Sequence, residues 1–145
     1  MIWIDTVADG GCHPTVIKNE VHAMVPAIDF REFARSVGTL VRYGSGDVIF
    51  REGDTAGLMY IILGGSVEIS RDTRTIEVID TGHAFGFVSL LDGRQRTVSA
   101  CASKDCELAL IDAKKFRYMM EEMPNFVWYV VGEMGERLRT ASLAI

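Results

Sequence analysis

The residues best suited to hold a ligand lie within one short segment, positions 86 to 97 of the 145-residue chain. Gly86 allows a tight turn and close backbone approach to a ligand, and the residues after it can form a short helix. A helix start attracts anions through its partial charge and its free N–H groups. Arg96 can donate two parallel hydrogen bonds to phosphate oxygens, and Thr97 adds a hydroxyl. The candidate ligand-binding residues are Gly86, Phe87, Val88, Ser89, Arg96 and Thr97.

Other reactive side chains are too scattered to form a catalytic or metal site. The three histidines, His13, His22 and His83, do not form the clustered set of a metal-dependent roll enzyme. Cys101 and Cys106 flank a turn without two further metal ligands nearby. No nucleophile elbow, Walker loop or metal-protease helix is present. We therefore expect no enzyme activity, no metal and no cofactor. His83 lies just before the candidate segment, and its default place is in a turn.

The composition of the chain indicates which partners and which cellular compartment to expect. The chain carries 15 basic and 20 acidic side chains, a net charge of −5, whereas a domain that binds nucleic acid is usually basic. No secretory signal is visible, and three cysteines cannot all pair with one another. The longest apolar runs are far shorter than the roughly 20 residues of a spanning helix. These features predict a cytoplasmic domain that contacts neither nucleic acid nor membrane.

The middle of the chain predicts many short strands. From about residue 38 to 111, frequent glycines separate runs rich in Val, Ile, Tyr and Thr, which is typical of a sandwich, jelly roll or barrel. The expected strands lie near residues 39–43, 47–50, 58–63, 66–71, 74–79, 97–102 and 106–111.

Helices are predicted on both sides of these strands. An N-terminal segment, residues 1–28, contains a short helix from Pro14 to Met24. Asp29, followed three residues later by Glu32, predicts a capped helix that leads into the strands. After the strands come helices over about residues 112–143, the first capped by Asp112 and the last spanning roughly 125 to 142.

The last helix carries a heptad seam, with apolar residues at intervals of four and three. The seam residues are Val127, Val131, Met134, Leu138, Ala141 and Ile145. Two interpretations are open: the seam packs on the roll, or it pairs with the same helix of a second subunit. The length and period of the seam favour a parallel homodimer through residues 125–143.

Two segments of this sequence resemble the cyclic-nucleotide-binding domain family, whose members include catabolite-activator-type regulators, kinases and gated channels. One runs from residue 46 to 54 and on through 59–69, and it is similar to the family's opening strands. The other covers residues 82–91 and 94–100, and it is similar to the phosphate-binding cassette. The resemblance extends from about Asp29 to Ser142. It implies a mainly β double-stranded β-helix, the cupin-like jelly roll, followed by C-terminal helices, in a domain spanning residues 29–145.

The resemblance also implies a function in signal transduction, such as transcription regulation. In the family, the arginine at the position of Arg96 pairs with the cyclic phosphate, and the residue matching Thr97 contacts phosphate or base. The implied ligand is cAMP or cGMP, bound between the cassette and the last helix. This chain departs from the pattern at Phe87, where the family has a glutamate that binds the ribose, and at Gln95, where it has a proline.

Two hypotheses follow from these residues. In the first, the domain senses an anionic ligand and signals through its C-terminal helices; Arg96 and Thr97 favour it. In the second, the roll is a ligand-free structural or dimerisation module in which Phe87 plugs the pocket.

Overall fold

The computed structural model describes residues 29–142 and, as backbone only, two strands nearer the N-terminus. These strands, β1 (Trp3–Thr6) and β2 (His13–Val16), pair antiparallel. The helix predicted from Pro14 is therefore wrong at its start, where the chain is extended. Proline is tolerated in a strand with an unpaired edge, because its missing N–H is not needed there. The rest of that predicted helix lies outside the described residues.

Helix α1 (Arg31–Val37) lies just before the roll, as predicted, but its cap differs. Its N-cap position is Phe30, and the carboxylate of Asp29 accepts a hydrogen bond from the Arg31 N–H at 3.0 Å. Asp29 thus accepts a hydrogen bond from the first turn of the helix, but it lies one residue before the N-cap position that a capping box would occupy. Phe30 and Ala34 are buried and anchor the helix against the roll.

Between residues 39 and 112, eight strands form two four-stranded antiparallel sheets. The strands are β3 (Thr39–Tyr43), β4 (Val48–Phe50), β5 (Leu58–Gly64), β6 (Ser66–Arg71), β7 (Arg74–Asp80), β8 (Ala84–Phe85), β9 (Ser99–Ala102) and β10 (Cys106–Asp112). One sheet has the order β3-β10-β5-β8 and the other β4-β9-β6-β7. The predicted jelly roll is confirmed, and β8 is a strand that the sequence pattern did not predict.

Strand β5 lies between two hydrophobic cores, one beneath the helices and one inside the roll. Its successive side chains point to opposite faces. Met59 and Ile61 enter the core beneath the helices, here called the helix-side core, while Tyr60 and Ile62 enter the core inside the roll. Because both faces of β5 are covered, it reads as one continuous apolar run.

Two C-terminal helices complete the domain, as predicted. Helix α3 (Ala113–Glu122) begins at Asp112, whose carboxylate accepts the Lys115 N–H at 2.7 Å. Pro124 is the first residue of α4 (Pro124–Ser142), a position that suits proline because its missing N–H would have no helical acceptor.

Helix α4 has a roll-facing side and an exposed side. Phe126 and Val130 are buried, and the Tyr129 hydroxyl donates to the carbonyl of Gly82 at 2.8 Å. The seam residues Val131, Met134 and Leu138 are 45%, 41% and 69% exposed. The interpretation that the seam packs on its own roll is therefore wrong for these residues. Ala141 and Ile145 lie outside the part whose side chains are described.

Candidate functional site

The cassette is built around one turn between β8 and a short helix. Gly86 has a φ of 81°, a conformation that other residues rarely adopt. Helix α2 (Val88–Asp92) follows, and its first internal hydrogen bonds come from the N–H groups of Leu90 and Leu91 to the carbonyl of Phe87. The amides of Val88 and Ser89 precede these bonds, as at any helix start.

Arg96 folds back under this turn and is only 5% exposed. Its Nη1 donates to the carbonyl of Gly86 at 2.6 Å, and its Nη2 donates to the carbonyl of Leu58 at 2.5 Å. Its guanidinium carbon lies 4.2 Å from the ring centroid of Phe50. A Cβ at Gly86 would lie 3.0 Å from Nη1, so glycine is needed for this close approach as well as for its φ.

The charge of Arg96 has no carboxylate within ion-pair distance among residues 29–142. Asp92, a conceivable partner, instead accepts the backbone N–H of Arg94 at 2.9 Å. Burial lowers the pKa of Arg96, because desolvation disfavours the charged form. A guanidinium nevertheless remains protonated in proteins. The site therefore holds a buried positive charge that an anion would compensate.

A cavity of about 280 Å³ lies beside Arg96, between the cassette, the sheet that contains β7, and helix α4. Its apolar wall includes Phe50, Ile69, Ile79, Phe85 and Val98. Its polar side chains are Arg71, Glu77, Ser89, Arg96, Thr97, Arg137 and Thr140. The volume and lining suit a ligand with an apolar ring system and an anionic group.

All six residues predicted for the site border this cavity. Five of them carry groups that suit contact with a ligand. Gly86 has only backbone, Val88 has a short apolar side chain, Ser89 and Thr97 have hydroxyls, and Arg96 has a guanidinium. Phe87 differs, because its side chain is 1% exposed and belongs to the helix-side core. The ring thus packs among core residues, and the cavity remains open beside it.

Sequence reasoning missed a polar network that joins α4 to the roll. Arg137 Nε lies 2.9 Å from Oε1 of Glu77, and Arg137 Nη2 donates to the carbonyl of Ala84 at 2.6 Å. Buried Glu133 lies 3.3 Å from the same Nη2 and 2.9 Å from Nδ1 of His83. The i, i+4 spacing of Glu133 and Arg137 was visible in the sequence, but their contacts with β7 and the turn before the cassette depend on the fold.

The described residues include no group of three or more His, Cys, Asp or Glu side chains that could hold a metal ion. In the same residues, no helix has both the length and the apolar character required to cross a bilayer.

An antiparallel roll with a buried cation, a glycine-led cassette and a covering C-terminal helix defines a ligand-binding β-roll domain. The sequence pattern of the cyclic nucleotide-binding domain matches residues 40–123. The chain belongs to this family, and the resemblance found in its sequence is confirmed.

Individual relatives agree with this assignment. The chain is 30% identical to the cyclic AMP receptor protein of Thermus thermophilus over 108 residues, covering 71% of this chain and 50% of the relative. It is 33% identical over 75 residues to the regulatory subunit of the cAMP-dependent protein kinase of Eremothecium gossypii, covering 52% and 16%. The crystal structure of Thermus thermophilus catabolite activator protein superposes with a TM-score of 0.69 at 29% identity, covering 78% of this chain and 55% of that one.

These relatives are a cyclic AMP receptor protein and the regulatory subunit of a kinase. The chain spans about half the length of the cyclic AMP receptor protein that it matches.

Proposed function

We propose that this chain binds a cyclic nucleotide, cAMP or cGMP, in the cavity beside Arg96 and serves as a regulatory sensor domain without enzyme activity. One observation carries the proposal: a buried guanidinium, with no carboxylate within ion-pair distance among residues 29–142, lines a cavity of ligand size. We place this function in the cytoplasm, where Cys101 and Cys106, both free thiols here, stay reduced.

The hydrogen-bonding capacity of Arg96 supports a phosphate at this point. A guanidinium has five N–H donors, and two are directed at the carbonyls of Gly86 and Leu58. Arg96 borders the cavity together with Val88, Ser89 and Thr97, which carry two backbone amides at the start of α2 and a hydroxyl. In our proposal, they bind the oxygens of the cyclic phosphate.

The ribose is held less firmly than in relatives that carry the family's glutamate. Phe87 offers no acceptor to the 2′-hydroxyl, and hydrogen bonds to charged groups are worth about 1.5–3 kcal/mol. We therefore expect affinity to be roughly 10- to 100-fold weaker than with the acid in place.

Signalling is proposed to run through α4, which borders the cavity and is tied to the roll by Arg137 and Tyr129. A ligand shifts the position of α4 only through its different affinity for the two arrangements of the helix. We propose that an effector, such as one acting in transcription regulation, responds to this shift.

The test of the proposal is stabilisation by ligand. At 100 times its Kd, the bound nucleotide is expected to raise the free energy of unfolding by about 2.7 kcal/mol. Thermal unfolding with cAMP or cGMP, against linear 5′-AMP or 5′-GMP as controls, measures this gain. If neither cyclic nucleotide shifts the transition at millimolar concentration, the ligand-free dimerisation module is the better account.

We also propose that the exposed seam of α4 pairs with α4 of a second copy. Replacing Leu138, 69% exposed, with glutamate places a charge in this seam, and we expect the dimer to dissociate. Sedimentation equilibrium measures the change from twice the 16.1 kDa chain mass to one chain mass.

The matched control is Tyr118→Glu, which alters an aromatic residue of α3 that is 64% exposed and lies away from the seam. This variant should remain dimeric. A wild-type protein that is monomeric at tens of micromolar, or a dimer unaffected by Leu138→Glu, contradicts the proposed interface.

A further inference from the structure

Glu77 is an acidic residue on a face of the sheet that is otherwise aliphatic. On β7, it points to the same side as Ile79, two residues later, because side chains alternate along a strand. Its cross-strand neighbour is Ile69, and both isoleucines are buried. The Glu77 side chain is only 16% exposed and borders the cavity. A carboxylate that is buried in this way is costly unless a polar group pairs with it.

Arg137 is one partner of the Glu77 carboxylate, and this contact leaves other lone pairs of the carboxylate free to accept hydrogen bonds. Arg137 Nε lies 2.9 Å from Oε1 of Glu77. An ionised carboxylate offers about four lone-pair sites and no donor. Among the described residues that border the cavity, Glu77 is the sole acid. A ligand group facing it must therefore present hydrogen-bond donors.

The cavity consequently has two chemically opposite recognition points. Arg96 offers donors to an anion. Glu77 offers acceptors and lies on β7, separated by β6 from β9, the strand that follows Arg96. The Arg96 guanidinium contacts the carbonyls of Gly86 and Leu58, whereas the Glu77 carboxylate contacts Arg137 Nε. A ligand that reaches both groups must therefore present an anionic group to Arg96 and hydrogen-bond donors to Glu77.

Guanine fits this arrangement better than adenine. The edge of guanine has two adjacent donors, N1–H and the N2 amino group, which match the two oxygens of a carboxylate. The corresponding edge of adenine has an amino donor beside the N1 lone pair, which a carboxylate oxygen would repel. We propose that Glu77 reads the base and makes the cavity selective for cyclic GMP over cyclic AMP. This inference rests on the proposed nucleotide-binding function.

The unmodified protein provides the first test. Calorimetric titration is expected to give a Kd for cGMP roughly 10- to 100-fold below that for cAMP, the value of one or more hydrogen bonds to a charged group. Inosine 3′,5′-cyclic monophosphate, which lacks the N2 amino group, should fall between them. If cAMP binds as tightly as cGMP, this inference is overturned while the proposed function stands. If neither binds, the proposed function fails and this inference with it.

The variant Glu77→Gln provides the second test. The amide keeps one acceptor but adds a donor, so it suits the donor and acceptor of adenine and mismatches guanine. We expect cGMP to bind roughly 10-fold or more weakly and cAMP to bind as well as before or better. The control is Arg137→Gln, which breaks the same ion pair but keeps the carboxylate. It should weaken both nucleotides and preserve their order.

Equal weakening of cGMP and cAMP by Glu77→Gln, with their ratio unchanged, would assign Glu77 only to holding α4 and would overturn base reading. The inosine comparison needs no substitution, so it decides the matter even if the variant does not fold.

Discussion

Replacing Arg96 with alanine is expected to abolish stabilisation by cyclic nucleotide. The substitution removes the charge-assisted hydrogen bonds to the phosphate, each worth about 1.5–3 kcal/mol, so affinity should fall at least about 100-fold. At a nucleotide concentration that stabilises the wild type by about 2.7 kcal/mol, the variant should gain less than about 0.5 kcal/mol. Thermal unfolding of each protein with and without ligand gives this difference directly.

The comparison must be made within each protein, because Arg96 also contributes to the ligand-free fold. Its loss leaves the carbonyls of Gly86 and Leu58 without their donors. Arg94→Ala is the matched control, since that arginine is exposed and lies two residues earlier in the cassette. The control should keep the full shift. A shift of wild-type size in the Arg96 variant would refute the anion site.

Replacing Phe87 with glutamate, the acid found in the family, is expected to destabilise the domain strongly. The ring is 1% exposed in the helix-side core. Removing a buried phenylalanine side chain costs about 3–5 kcal/mol when a cavity is left behind, and a carboxylate cannot replace its apolar contacts. Urea unfolding should show this loss as a lower transition midpoint.

Phe87→Leu is the control, because it keeps an apolar side chain in the core and should cost clearly less than the glutamate. A glutamate variant that is as stable as the wild type and binds nucleotide more tightly would show that the ring occupies the ligand space. That result would restore the interpretation in which Phe87 plugs the pocket.

The fold could be predicted largely from sequence because its signals are local. Glycine-separated strands, the cap at Asp112 and the proline that begins α4 each act within a few residues. Strand β8 was missed because two residues carry no periodicity. The helix expected from Pro14 failed at its start, where the pairing of β2 with β1 decides the conformation and the local pattern does not.

Sequence could bring together residues of the candidate site only where they are near one another in the chain. Gly86 to Ser89, with Arg96 and Thr97, form one segment that the cassette pattern marks. Glu77 and Arg137 come from β7 and α4, 60 positions apart, and only the packing of that helix on the roll brings them together. The side-chain direction of Phe87 was likewise open, since a residue at the start of α2 borders both the core and the cavity.

NMR of arginine side chains reports whether the guanidinium of Arg96 receives the phosphate of a cyclic nucleotide. In ¹⁵N-labelled protein titrated with cGMP or cAMP, the Nε–H signal of Arg96 should shift on saturation, while that of exposed Arg94 stays in place. Saturation of the protein by nucleotide with no change in the Arg96 signal would contradict the account.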